Sequence, residues 1–233
     1  MLKKLLLSFV LMIVALLSIA FVRTLMHSAP EPAVNVGLTA DINGEAAINN
    51  LAASIRFKTI SHQEKEKFSP QEFEGFIKWA ADTYPEFHSA MQLEMLEYTL
   101  LFKWEGSDNS LAPILLTAHY DVVPVIPGTE SIWEEEPFAG VISNNRIWGR
   151  GALDDKSGVV GMMEAATYLI TNNFQPARTV YFSFGHDEEI GGGGAALVTE
   201  KLKQEGVQLQ WSLDEGSFVN RGFFPGVDKL VAP

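Results

Sequence analysis

The sequence of 233 residues contains no cysteine, so it can form neither a disulfide framework nor a thiolate metal site. Any bound metal ion must therefore be held by oxygen and imidazole ligands. Basic residues are also scarce, because 17 Lys and Arg stand against 29 Asp and Glu, for a formal net charge of −12. No basic stripe that could bind phosphates is present, which argues against a nucleic-acid partner. Neither His-Glu-x-x-His nor Gly-x-Ser-x-Gly occurs, which argues against a helical zinc protease and a serine hydrolase.

The amino terminus is the least globular part of the chain. Lys3 and Lys4 precede an apolar run over residues 5–22, which is near the length needed to span a bilayer and longer than a typical signal-peptide core. We predict that residues 1–27 are a signal-anchor or transmembrane segment. A cleaved signal peptide ending near Ala29 is the alternative. Both interpretations place the rest of the chain outside the cytoplasm, in a periplasmic or extracellular location.

Residues 28–40 are rich in proline, alanine and short polar side chains, and we predict that they form a linker. The remaining residues, 41–233, are expected to form one domain. A helix is predicted from a cap at Asp41 to about Phe57. Ser69 and Pro70 begin another helix, which Pro85 ends. Met91 to Trp104 reads as two strands or as one bent strand.

Short apolar runs at 114–118, 180–184 and 209–213 predict buried strands of an α/β sheet. An acidic cluster follows each of them. The clusters are His119-Tyr120-Asp121, Asp187-Glu188-Glu189 and Asp214-Glu215. A fourth, Asp154-Asp155, precedes a helix predicted over 157–172. Because α/β sheets place their chemistry at the carboxyl ends of the strands, we expect the four clusters to converge on one crevice.

The residue types in these clusters point to metal chemistry. His119 and Asp121 lie on the same side of an extended segment, so that one can ligate a metal while the other lies beside it. Glu188 and Glu189 would repel each other strongly in a crevice unless a cation compensates them. Asp154, Asp155 and Ser157 compete for one helix cap, which leaves at least one acid for another role. Lys156 is interpreted as an ion-pair partner of Asp155.

The motifs around these clusters resemble those of the aminoacylase and carboxypeptidase S family of co-catalytic zinc peptidases. Within that family the amino-acid sequences of the motifs are most similar to those of Gly-Xaa carboxypeptidases and of secreted N-acyl-amino-acid hydrolases. The motifs are Thr117-Ala118-His119-Tyr120-Asp121-Val122-Val123-Pro124, Gly149-Arg150-Gly151-Ala152-Leu153-Asp154-Asp155-Lys156, Gly185-His186-Asp187-Glu188-Glu189-Ile190-Gly191-Gly192 and Leu213-Asp214-Glu215-Gly216. The fold that the resemblance implies is a three-layer α/β/α sandwich with a mostly parallel sheet.

The resemblance also implies roles for individual residues and a cofactor of two zinc ions. The implied metal ligands are His119, Asp154, Glu189 and Asp214. Asp154 would bridge the two ions, Asp121 would orient His119, and Glu188 would act as general base and acid. The implied reaction is hydrolysis of a peptide or N-acyl amide bond next to a free carboxylate, through a metal-activated water.

The sequence departs from this family because it stops at Pro233, whereas relatives continue through a second domain and a final histidine ligand. No histidine follows His186. We therefore expect little activity from this chain alone, and we expect any homodimer to form in the complete protein. Two alternatives stay open, a non-catalytic metal-containing binding protein and an inactive truncated fragment.

Overall fold

The computed structural model of the protein describes residues 2–26, 40, 42–216, 220–221 and 230–231. The chain divides into two compact units, Met1–Asp41 and Ile42–Pro233. The first unit contains helix α1 (Leu2–Leu25). By length and composition alone its segment Lys3–Thr24 could cross a membrane, a test that a signal sequence also passes. Most of the predicted linker, residues 28–39, and the predicted cap Asp41 lie outside the described residues.

The second unit alternates helices and strands. Its helices are α2 (Gly44–Ile55), α3 (Pro70–Thr83), α4 (Pro85–Ala90), α5 (Lys156–Thr171) and α6 (Gly193–Gln204). Its strands are β1 (Gln92–Leu96), β2 (Thr99–Trp104), β3 (Ile114–His119), β4 (Val141–Ser143), β5 (Arg146–Trp148), β6 (Val180–Gly185), β7 (Trp211–Leu213), β8 (Asn220–Arg221) and β9 (Leu230–Val231). The described residues of this unit also form 3-10 turns at Lys65–Lys67, Glu130–Ile132 and Glu188–Ile190.

Local sequence explains where the first helices begin and end. The side chain of Asn43 accepts a hydrogen bond from Ala46 N and caps α2, so this helix begins later than the prediction from Asp41. Helix α3 starts with Pro70 at its first position, as predicted. Pro85 ends α3 as expected, because proline disfavours helical backbone at the preceding residue, and it also begins α4.

A five-stranded sheet with the order β1-β2-β6-β3-β7 forms the centre of this unit. Strands β6, β3 and β7 run parallel to one another. Strands β1 and β2 form a hairpin that adds to β6 in antiparallel orientation. The predicted α/β class is confirmed, and the sheet is mixed, with its parallel part at the three strands that precede the acidic clusters.

Successive side chains of each strand point to opposite faces of the sheet, and helices pack against both faces. On one face Phe102, Phe182 and Phe184 pack in a cluster with apolar residues of α3, α4 and α5. On the other face Leu101 and Tyr181 pack with Val198 and Leu202 of α6. The sheet is therefore the middle of three layers, and the three parallel strands end at one common edge.

Candidate metal centre

The acidic clusters meet at the carboxyl edge of the parallel strands. His119 is the last residue of β3, and the clusters at 187–189 and 214–215 follow its two neighbours, β6 and β7. The fourth cluster reaches the same place because α5 packs against β3, and Asp154 lies just before that helix. Residues that are far apart in sequence are thus brought to one imidazole.

Carboxylates surround the outward nitrogen of His119. The Nε2 atom lies 3.0 Å from Asp154 Oδ1, 3.5 Å from Glu215 Oε1 and 3.8 Å from Glu188 Oε2. Donor atoms of His119, Asp154 and Glu215 all lie within 4.8 Å of one another. His119 is buried, whereas the side chains of Asp154 and Glu188 are largely exposed. The crevice therefore has a buried imidazole at its base and exposed carboxylates at its rim.

The charge state of His119 follows from this environment. Burial alone lowers its pKa, but the Asp121 carboxylate, followed by those of Glu215 and Glu188, overcomes that effect and raises the pKa to about 10. A proton on His119 then acts as the cation that the surrounding carboxylates require. A divalent metal ion at Nε2 would take the place of that proton and would meet the same requirement with more charge.

Asp121 supports His119 from behind. It is fully buried, and its Oδ1 lies 3.3 Å from His119 Nδ1. The same carboxylate accepts hydrogen bonds from the backbone N–H groups of Glu188 and Glu189, at 3.1 and 3.2 Å, and from Ser61 Oγ at 2.6 Å. The backbone carbonyl of Asp121 is a further partner of Nδ1, at 3.1 Å. Asp121 thus joins the imidazole to the turn that carries the two glutamates.

The three candidates for the helix cap before α5 separate as the sequence argument requires. Asp155 Oδ1 accepts from Gly158 N at 3.0 Å and caps α5. Ser157 Oγ donates instead to Leu153 O. Asp154 is left to face His119.

Asp187, Glu188 and Glu189 point in different directions. Asp187 Oδ1 accepts from Gly194 N at the start of α6, which fixes the turn. Glu188 faces His119 Nε2, as described above. The pKa of Glu189 is raised, first by its partial burial and then by repulsion from Asp154. Both glutamates therefore interact electrostatically with the group formed by His119 and Asp154.

The last turn contributes two acids. Asp214, His119 and Glu188 are among the residues that line a cavity of about 370 Å³. Asp214 Oδ1 accepts from Glu215 N, and the Glu215 side chain reaches His119. Burial and then repulsion from Asp154 raise the pKa of Glu215, an effect that His119 partly offsets. The implied ligand Asp214 thus lies in the cavity, and its neighbour lies closer to the imidazole.

Sequence reasoning missed two residues of this centre. Glu215 belongs to a cluster that the sequence identifies, but nothing local distinguishes it from Asp214. Ser61 lies far from every motif, and a serine after a predicted helix carries no signal of a contact 60 positions away. Only a comparison of tertiary contacts finds it.

The residues present fit a metal ion. Imidazole and carboxylate oxygens are ligands that zinc accepts, and an imidazole ligand of a metal usually has its second nitrogen held by a carboxylate or carbonyl. Here both kinds of partner lie at His119 Nδ1. The fold and this site together define a class, that of α/β proteins with a carboxylate-rich site, able to hold a metal ion, at the carboxyl edge of a sheet.

Comparisons with known proteins place the chain more closely. Residues 115–226 match the model of peptidase family M20/M25/M40, and this match confirms the resemblance that the motifs carry. The chain is 34% identical over 233 residues to probable carboxypeptidase S-like 2 of Dictyostelium discoideum, covering 95% of this chain and 44% of that protein. It is 41% identical over 187 residues to the N-fatty-acyl-amino acid synthase/hydrolase PM20D1 of Mus musculus, covering 78% of this chain and 36% of that protein.

The fold has a similar counterpart among solved structures. Human carnosine dipeptidase 1 superposes with a TM-score of 0.62 at 19% identity, over 76% of this chain and 40% of that one. This likeness concerns the fold alone. The chain spans less than half the length of these relatives.

Proposed function

We propose that this chain carries part of a zinc-dependent amidohydrolase that cleaves a peptide or N-acyl amide bond next to a free carboxylate. The observation that carries the proposal is the environment of His119, whose Nε2 faces three carboxylates while Asp121 backs its Nδ1. The carboxypeptidase S-like and N-acyl-amino-acid hydrolase names of the relatives support this choice of bond.

Residues for two ions are proposed from the resemblance together with the geometry. His119 and the turn at 214–215 would hold one ion, Glu189 would hold the other, and Asp154 would bridge them. In the turn, the resemblance implies Asp214, while the distance to His119 favours Glu215. Zinc, when bound, supplies Lewis acidity that polarises a carbonyl and lowers the pKa of water.

The remaining chemistry belongs to side chains of this chain. Glu188 is exposed to the crevice and is held there by its own backbone bond to Asp121. It would take a proton from the attacking water and return it to the leaving nitrogen. Asp121 would keep His119 in one orientation and tautomer throughout, because it contacts Nδ1 and not the open side of the ring.

The location of the protein is a second part of the proposal. The apolar helix α1 follows Lys3 and Lys4, and a positive flank of this kind stays on the cytoplasmic side. We therefore propose that residues 1–27 anchor or export the domain, that residues 28–40 link it, and that residues 41–233 act outside the cytoplasm.

The proposal is tested in a chimaera in which this chain replaces the matching part of the Dictyostelium discoideum relative. Release of free amino acid from an N-acyl-amino acid and from a dipeptide is measured with zinc, in the chimaera and in its Glu188→Gln variant. We expect turnover in the former, and in the variant a loss of at least about a hundredfold with zinc content unchanged. Zinc binding without turnover in either protein would instead favour a non-catalytic metal-binding protein.

The chain by itself provides a second comparison. We expect it to bind zinc but to hydrolyse both substrates far more slowly than the chimaera. Equal rates in the two proteins would contradict this expectation.

A further inference from the structure

A buried serine outside every motif contacts the centre of the site. Ser61 is 3% exposed, and its Oγ donates to Asp121 Oδ2 over 2.6 Å. Among the residues that the structure describes, it is the side-chain hydroxyl that reaches this carboxylate. The other two hydrogen bonds to Asp121 come from backbone N–H groups of one turn, those of Glu188 and Glu189.

The arrangement of these three donors has a mechanical consequence. The terminal torsion of an aspartate is broad and roughly two-fold. The two backbone donors bond one oxygen each, but both belong to one short turn, so that the carboxylate can shift together with that turn. Ser61 lies on a different segment from residues 188–189. It therefore clamps Oδ2 from a second direction and fixes the plane of the carboxylate that faces His119 Nδ1.

The segment that carries Ser61 is itself held in place. Ser61 N donates to Val122 O, and Val122 N donates to Thr59 O at 3.0 Å, which pairs this segment with the chain just beyond β3. The Thr59 hydroxyl donates to Tyr120 O. Backbone and side-chain hydrogen bonds thus hold the segment that carries Ser61 in place.

Lys156 anchors the start of the same segment. Its ammonium is fully buried and donates to Ser54 O at 2.9 Å and to Phe57 O at 2.6 Å, at the end of α2. The expected ion pair with Asp155 is therefore wrong, because the carbonyl groups at the end of a helix attract this cation. Lys156 follows Asp154 and Asp155 directly, so it also ties the segment to the turn that presents Asp154.

We infer that Ser61 is a positioning residue for the metal centre, which acts by orienting Asp121 and through it His119. The inference rests on the proposed function, since it assumes that His119 binds a metal ion. Partners of this kind behind a metal-ligating histidine are worth about 10- to 100-fold in metal affinity. Because Ser61 acts through Asp121, we expect its loss to cost about tenfold.

The test uses the full chain with zinc and cobalt. The zinc dissociation constant is measured by competition with a chromophoric chelator, and the visible absorption of bound Co²⁺ reports the ligand geometry. Ser61→Ala is expected to weaken zinc binding about tenfold and to alter the cobalt spectrum. The matched control is Ser110→Ala, which removes a serine bond of the same length, 2.6 Å to Asp108 Oδ1, at an exposed turn. The control should leave both readings unchanged.

Each outcome has a distinct meaning. Unchanged zinc affinity and cobalt spectrum in Ser61→Ala would overturn the inference while leaving the proposed function intact. Failure of the unaltered chain to bind either ion would overturn both. If Ser61→Ala does not fold in chelator, Ser61→Cys replaces it, because a thiol of similar shape is a much weaker donor, and the same criterion decides.

Discussion

Replacement of Asp121 by asparagine tests the core of the structural argument. The substitution keeps the shape of the side chain but exchanges one carboxylate oxygen for an amide NH2 group. In the structure Oδ1 accepts from Glu188 N, and Oδ2 accepts from Glu189 N and Ser61 Oγ. Whichever way the amide is turned, one backbone N–H of the 188–189 turn then faces a donor and loses its acceptor.

The expected loss of stability follows from this one backbone N–H group without an acceptor. A buried donor left without an acceptor costs about 1–3 kcal/mol, and Asp121 is fully buried. Asp121→Asn should therefore lower the free energy of unfolding in chelator by about 1–3 kcal/mol. Loss of the charge behind His119 should in addition weaken zinc binding about 10- to 100-fold.

Two assays read these effects separately. Urea denaturation in chelator gives the stability of the metal-free protein, and chelator competition gives the zinc dissociation constant. Asp108→Asn is the matched control, because Asp108 accepts bonds from Ser110 N and Ser110 Oγ at an exposed turn. An Asp121→Asn protein as stable as the unaltered one, with equal zinc affinity, would refute the reasoning.

Three further predictions concern the metal and the core. Zinc at 100 times its dissociation constant should stabilise the chain by about 2.7 kcal/mol in urea denaturation, and a denaturation curve that is identical in chelator would contradict a native metal site. Asp214→Asn and Glu215→Gln should weaken zinc binding unequally, and the larger loss in the competition assay identifies the ligand of that turn; two unchanged affinities would remove the turn from the site. Phe76 is fully buried and stacks on Tyr120, with ring centroids 4.5 Å apart, so Phe76→Ala should cost about 3–5 kcal/mol in the same denaturation experiment, and a loss below 1 kcal/mol would contradict this packing.

Much of the frame around the site could be predicted because it depends on short-range pattern. The apolar runs before His119 and Asp187 do form adjacent parallel strands, and Pro70 and Pro85 mark helix boundaries through restrictions on their own backbone. Two strands over Met91 to Trp104 were one of the two predicted alternatives, and the two residues between β1 and β2 allow only an antiparallel hairpin. The sequence did not predict that β2 would pair with β6 in antiparallel orientation, because β2 and β6 are far apart in the chain.

Within the site, the residue pattern alone predicted which turns would converge, whereas the choice of one acid within a turn came only from the resemblance. Asp154 and Asp155 are neighbours with the same chemistry, yet one caps α5 and the other faces His119. The position of Lys156 next to Asp155 suggested an ion pair between them. The ammonium of Lys156 instead donates to the backbone carbonyl groups of Ser54 and Phe57, about a hundred residues earlier in the chain.

The amino-acid sequence by itself determined that this chain has an apolar amino terminus and an α/β domain, and that any metal site in it is restricted to oxygen and imidazole ligands. Those properties follow from the composition and from the periodicity of apolar side chains in strands and helices, which can be read within a few consecutive residues. The tertiary structure alone decided that Glu215 reaches His119 and that Ser61 holds Asp121. Such contacts depend on how distant segments pack, because a side chain's direction is fixed by its turn and its neighbours in space and not by the residues beside it in sequence.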